Sequence, residues 1–235
     1  KVEFAQLSDT PQEIAGLLVG QGPTLGKTGK ALDKSTDNLL SRAFEAAEFK
    51  GASKSSLTLH APAGSDLKRL VCVGVNDADD ATPQDWVTSG GYATGLLMGA
   101  TAKSASLIVD VAGGLAAPEA AVELALGALL RSYTFDIYKT NGKSKNDRLD
   151  DNGEVAAKPE LETLVIHTDK PGEAAELFVA RKAIAEGTCL ARDLVNEPAN
   201  ILGPVEFADR VTALADLGVE VEILPQIHPG LDLFV

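Results

Sequence analysis

Basic residues are scarce in this 235-residue chain: 21 Lys and Arg stand against 34 Asp and Glu, a formal charge of −13. A surface of that sign repels nucleic-acid phosphates and anionic membranes and favours solubility, so neither is expected as a partner. Cysteine is scarcer still, with two residues. Cys72 lies in an apolar run and is far from Cys189, so no disulfide framework is indicated and a reducing compartment is expected. No run of about eighteen apolar residues exists to span a membrane. The first residues, KVEFAQLSD, lack the charged-then-apolar profile of a secretion signal, so a cytoplasmic protein is expected. The three histidines, His60, His167 and His228, are isolated from one another, and neither a His-Glu-x-x-His helix nor a Cys-x-x-Cys pair offers a zinc site. No Gly-x-Ser-x-Gly elbow occurs.

Hydrophobic residues make up 45% of the chain, enough to bury a substantial core. Short runs rich in Val, Ile and Leu predict strands over 2–7, 14–19, 57–60, 70–75, 106–111, 163–167 and 219–224. Helical patterns lie between them. In STDNLLSRAFEAAEF, Leu39, Leu40, Ala43, Phe44 and Ala47 share a face, with Ser35 or Thr36 as N-cap. Small residues predict a closely packed helix over 84–102. A third helix, over 118–133, places Val122, Leu126, Leu129, Leu130 and Tyr133 on one stripe, with Pro118 in its first turn. Strands alternating with helices indicate an α/β sheet covered on both faces, and the order strand, strand, helix, strand, strand makes it mixed. The polar stretch over 139–159 predicts an exposed loop.

From Pro171 a helical pattern of about 25 residues, roughly 35–40 Å at 1.5 Å per residue, runs until Pro198 stops it. Its predicted apolar stripe is Leu177, Ala180, Ile184, Ala191, Leu194 and Val195. GPVEFADRVTALADLGVEVEIL then reads as a Pro-initiated helix (Phe207, Val211, Leu214), a stop at Gly218 and a strand. That is the opening of a second sheet, which too few residues remain to complete, so the second domain is expected to be truncated.

Two segments imitate ligand loops. GQGPTLGKTGK contains Gly-Lys-Thr, but a phosphate loop needs four residues between its first Gly and the Gly-Lys, and Gly20 leaves five while Gly22 leaves three. A mobile surface turn is expected instead. In NDRLDDNGE an EF-hand register puts Arg148 first and Pro159 twelfth, which excludes calcium chelation of that kind. NDADDATPQD has no glycine in register, so solvated loops are expected at both. Cys189 lies mid-helix without an adjacent base and is read as a core-type residue rather than a nucleophile.

The stretch ARDLVNEPANILGP (191–204) resembles the hinge of the leucyl aminopeptidase (cytosol aminopeptidase) family, where Arg-Asp-Leu-Val-Asn, a proline and a second Asn join two domains. FKGASKSSLTLHAP resembles the family's Phe-x-Gly turn before a strand, and LKRLVCVGVND its arginine-flanked strand. LGALLRSYTFDIYKT resembles its helix ending in Tyr-x-Phe-x-x-Tyr-Lys, and VTALADLGVEVEIL the first helix and strand of its catalytic domain. Residues 225–235 lie outside the resemblance.

The resemblance implies a macro-domain-like mixed sheet flanked by helices over 1–170, a linking helix and hinge over 171–200, and the truncated start of a peptidase domain over 201–235. It further implies a parent metallopeptidase with two divalent metals (zinc, manganese or magnesium), a catalytic domain on the same polypeptide and a homo-hexamer. The family's ligand stretches, Val-Thr-Phe-Asp-Thr-Gly-Gly and Asn-Thr-Asp-Ala-Glu-Gly-Arg, are absent from these residues. No catalytic, cofactor-binding or metal-binding residue is therefore assigned, and the chain alone is expected to be inactive. In the hinge, Asn196 is expected to cap the linking helix, Asn200 to satisfy turn groups, and Arg192 and Asp193 to pair across the domain junction. An alternative is a stand-alone module binding ADP-ribose or a related nucleotide, with Gly74 and the Gly113-Gly114 pair supplying backbone N–H groups to the phosphates.

Overall fold

A computed structural model describes residues 1–76, 80–99, 102–111, 118–138 and 161–224. The strands are β1 (Val2–Gln6), β2 (Ile14–Val19), β3 (Ser56–His60), β4 (Arg69–Gly74), β5 (Ser104–Ile108) and β6 (Thr163–Thr168). The helices are α1 (Lys27–Ser35), α2 (Leu39–Ala46), α3 (Pro83–Met98), α4 (Pro118–Ser132), α5 (Pro171–Asn196) and α6 (Pro204–Thr212), with a short 3-10 helix at Ala213–Leu217. The chain divides into two compact units, Lys1–Thr188 and Cys189–Val235.

The first unit holds one sheet of order β1-β6-β5-β2-β4-β3. All pairs are parallel except β3 with β4, so the sheet is mixed. Because strand side chains alternate in direction, β2 feeds two cores. Ile14 and Leu18 join Val71, Val73 and Leu107 against Trp86, Ala93 and Leu97 of α3, Leu124 of α4 and Phe178 of α5. Ala15, Leu17 and Val19 join Leu70, Cys72 and Ile108 on the opposite face, against Leu40 and Phe44 of α2 and Phe49. All six residues of β2 are buried, as a central strand covered on both faces requires.

α3 and α4 pack almost backbone to backbone. A Cβ on Gly90 would fall on Leu124 of α4, and one on Gly127 would strike the Val87 carbonyl of α3. That contact explains the glycine and alanine content of the predicted helix. α3 starts on a reciprocal cap: the Thr82 hydroxyl accepts from the Asp85 N–H, and the Asp85 carboxylate accepts from the Thr82 N–H.

Four sequence expectations change. α1 was not foreseen: the last four residues of the expected surface turn at 20–30 start this helix, and Leu25, Gly26 and Gly29 are buried. α2 is not capped by Ser35 or Thr36. Its N-cap is Asn38 in the left-handed region, and its free N–H groups are met by Asp33 of α1, whose carboxylate accepts from the Leu40 and Ser41 N–H groups at 2.7 and 3.1 Å. The predicted stripe of α5 is not its buried face. Ala174, Phe178 and Ala185 are buried, while Leu177, Ile184 and Val195 are exposed. The expected strand over 219–224 is absent: its alternating pattern finds no partner strand among the described residues, and an unpaired strand leaves its backbone groups to water. The expected exposed loop over 139–159 lies outside the described residues.

β1 and β2 are parallel, yet β6 and β5 lie between them. The return from one to the other is only the segment 7–13. Parallel crossovers ordinarily take a dozen residues or more. This one must cross about 14 Å of sheet, at about 4.8 Å per strand, and return the length of a strand, so little slack remains.

Candidate functional site

In an open parallel sheet, ligands bind beyond the carboxyl ends of the strands where neighbouring connections leave in opposite directions. Here that position lies between β2 and β5. Three short contacts close it. Gly20 and Thr24 form an isolated antiparallel bridge that folds the segment after β2 back on itself. Gly51, with φ of +67°, packs so tightly on the Gly20 carbonyl that only a residue without Cβ fits. Gly74 lies against Gly51, Ala52 and Ser55.

The remaining opening, at the N-terminus of α1, is filled from β5's side. Asp110 is buried, its carboxylate accepts from the Thr28 N–H at 2.5 Å, and a Cβ on Gly26 would overlap it. A helix N-terminus attracts anions, and this one already holds a carboxylate of the chain itself. Gly-Lys-Thr here therefore opens a helix whose anion position is taken, and a phosphate would meet a negative charge. The geometry opposes the nucleotide reading at Gly74. Gly113 and Gly114 lie outside the described residues.

A second buried polar set serves the crossover. Ser106 and His167 lie on one face of β5 and β6, both buried. The Gln12 N–H donates to Ser106 Oγ at 2.9 Å, and His167 Nδ1 lies 3.0 Å from the Gln6 carbonyl. A carbonyl only accepts, so Nδ1 carries the hydrogen, and Nε2 accepts from the Ser106 hydroxyl at 2.8 Å. Every member is satisfied, which makes His167 a structural histidine and leaves it no free nitrogen for a metal. His60 is exposed at the end of β3, because β3 is an edge strand. His228 lies outside the described residues.

Among the described residues no three His, Cys, Asp or Glu side chains come together in a way that could hold a metal ion. The two divalent metals implied by the resemblance do not fit here, and no step through them is assigned to these residues. Cys72 is buried, and burial pushes its thiol up to about 12, the opposite of an activated nucleophile. Cys189 is half-buried on α5 rather than in the core. Among the described residues, no helix is long and apolar enough to cross a membrane.

In the second unit, Arg192, Asp193 and Asn196 lie in the last turns of α5, each engaged in an interaction. After them the Pro198 carbonyl accepts from the N–H groups of Ile201 and Leu202 at 2.9 and 3.0 Å, forming the turn in which Asn200 sits. Gly203 precedes α6, and its N–H donates to Glu206 at 3.1 Å. Glu197, which sequence reasoning passed over in favour of Arg192 and Asp193, pairs with Arg210 of α6 at 3.0 Å. Only the Glu-to-Arg spacing of thirteen residues hinted at it, and a spacing of that length carries no periodic signal.

The model of the cytosol aminopeptidase family's N-terminal domain matches residues 17–142, more than half of the chain. A probable cytosol aminopeptidase of Xanthobacter autotrophicus is 38% identical over 95% of this chain and 43% of its own length. One from Rhizobium rhizogenes is 44% identical over 80% of this chain and 36% of its own length. The chain thus spans less than half the length of the curated relatives it matches. Among solved structures, a tomato leucine aminopeptidase variant superposes with a TM-score of 0.73 at 20% identity, over 92% of this chain and 42% of that one. The bottromycin maturation enzyme BotP in complex with Mn gives 0.61 at 22% identity, over 87% and 36% respectively. These two likenesses concern the fold.

Proposed function

Since the chain belongs to the cytosol aminopeptidase family, we propose that it is the non-catalytic N-terminal region of a leucyl aminopeptidase-like metallopeptidase. The parent activity is metal-dependent release of N-terminal amino acids from peptides, carried by a catalytic domain on the same polypeptide. The observation that carries this reading is the hinge. The 191–204 sequence ends a 26-residue helix and leads through a Pro198 turn into a Pro-initiated second helix. Homology to cytosol aminopeptidases continues through nearly all of this chain.

The division of labour follows from chemistry. Two metals lower the pKa of a shared water and hold the substrate's amine and carbonyl, which takes convergent carboxylates and a lysine. On this reading those groups lie in the catalytic domain, and the first unit supports it. The domain limits 1–170, 171–200 and 201–235 belong to this proposal, as do the hexamer and a cytoplasmic location, the latter supported by the names of the relatives.

The test is turnover. The 235-residue chain, supplied with Mn²⁺ or Zn²⁺, is expected to release no leucine from leucine amide above background. Release that a chelator abolishes would overturn the non-catalytic reading. Calorimetry with ADP-ribose addresses the nucleotide alternative: the Asp110 carboxylate predicts silence at millimolar ligand, and micromolar binding would favour that alternative instead.

A further inference from the structure

Every residue of α4 from Ala120 to Ala128 is buried, and Glu123 is the one charged side chain among them. Its Oε1 lies 2.6 Å from Nη2 of Arg181 on α5. Neither side chain has a second hydrogen-bond or ion-pair partner among the described residues. A buried pair of this kind adds little stability over apolar residues of the same size, because desolvation offsets the attraction. A carboxylate left there alone is far more costly. We infer that the Glu123–Arg181 pair is a selector: it fixes the rotation of α5 about its own axis and adds little to the stability of the fold.

The sequence of α5 shows why a selector is needed. Ala174, Phe178, Arg181 and Ala185 follow one another at the spacing of a single helix face. Ala174 and Phe178 join the core, Ala185 is buried, and Arg181 stands between Phe178 and Ala185 on that face. Leu177, Ala180 and Ile184 form a second stripe, each one position before a member of the first, about 100° round the helix. A turn of that size would put Leu177 in the place of Phe178 and Ile184 in that of Ala185. Apolar burial does not forbid this exchange, since leucine and isoleucine fill the places of phenylalanine and alanine. The charges do. Glu173 would take the buried place of Ala174, and Ala180 would take that of Arg181, leaving Glu123 without its cation.

Urea unfolding and NMR on the full 235-residue chain separate selection from stability. Glu123→Met combined with Arg181→Met removes both charges and keeps apolar bulk. Its urea midpoint is expected to equal or exceed that of the wild type. Its amides over 174–186 are expected to exchange about tenfold faster or more, with β2 and β4 unchanged. The Leu177 methyls should gain contacts to the Phe4 ring, which Phe178 alone meets edge-on at 5.3 Å in the wild type. Arg181→Met alone strands the carboxylate, and its midpoint is expected to fall well below that of the double variant. Arg181→Lys keeps a cation and is expected to keep the Phe178 contact alone. A double variant with only the Phe178 contact and unchanged exchange overturns the proposal, because packing would then choose the face unaided. A double variant whose midpoint falls as far as that of Arg181→Met also overturns it, because the pair would then serve stability.

Discussion

Asp110 shows how a single side chain bears on the choice between two readings of one sequence. Its carboxylate caps α1 from the end of β5 and occupies the position a phosphate would take. Asp110→Ala leaves the part-buried Thr28 N–H without this acceptor and is expected to cost about 1–3 kcal/mol in urea unfolding. An unchanged midpoint would show that water replaces the carboxylate without loss. The two thiols should separate as cleanly. Cys189 is expected to react with a thiol reagent in the native protein, and Cys72 only after denaturant is added. The pH sign follows from the raised thiol of Cys72. The folded state holds the proton more tightly than the unfolded chain, whose value is 9.0, so the stability tied to it is intact below pH 9 and falls as pH rises toward about 12. Asp85 works in the opposite direction. Hydrogen bonds from Thr82 hold its carboxyl below the ordinary 3.8, so the α3 cap is complete above that pH and is lost as pH falls below it. Exchange at the Thr82 amide, which donates to that carboxylate, followed from pH 5 downward, reads that loss.

Among the elements, the strands were the most legible. β1 to β6 are short, largely apolar runs, and the pattern located all six with ends within three residues, the largest difference falling at β5. α1 was hidden for a physical reason. Its sequence, KTGKALDKS, has a weak apolar stripe, and its start is set by Asp110, 82 positions away. In α5 the sequence carries two apolar stripes. Leu177, Ala180 and Ile184 form the more regular one, but Ala174, Phe178 and Ala185 meet the sheet because Phe178 reaches Phe4 edge-on at 5.3 Å and Arg181 pairs with the buried Glu123 of α4 at 2.6 Å. Composition alone does not rank an Ala-Phe-Ala stripe above a Leu-Ala-Ile one. The hinge was legible as a motif while its ion pair was not, since Glu197 and Arg210 meet only once the Pro198 turn has formed. The two stripes of α5 make a direct comparison. Phe178→Ala is expected to cost about 3 kcal/mol or more, and Leu177→Ala under about 0.5 kcal/mol, both from urea midpoints. Equal effects would place the packing face elsewhere.

For the molecule as a whole, the charge of −13 sets the expectation for assembly. Copies of this chain repel one another at low salt, and the hexamer implied by the resemblance is assigned to the catalytic domain, so light scattering is expected to report no hexamer. A stable hexamer would move the assembly contacts into these residues. The pairing of β1 with β6 has a consequence for how the protein comes into being. Gln6 meets His167 across 161 positions of sequence, and β1 finds its partner strand nowhere nearer. On a ribosome adding about 5–20 residues per second, the first strand waits about 8–30 s before its neighbour exists. During that interval the three pairings among β2, β3, β4 and β5 can form, while Val2 and Phe4 stay open to any exposed edge that reaches them first. During synthesis β1 is thus open to wrong partners, and the appearance of β6 ends that exposure.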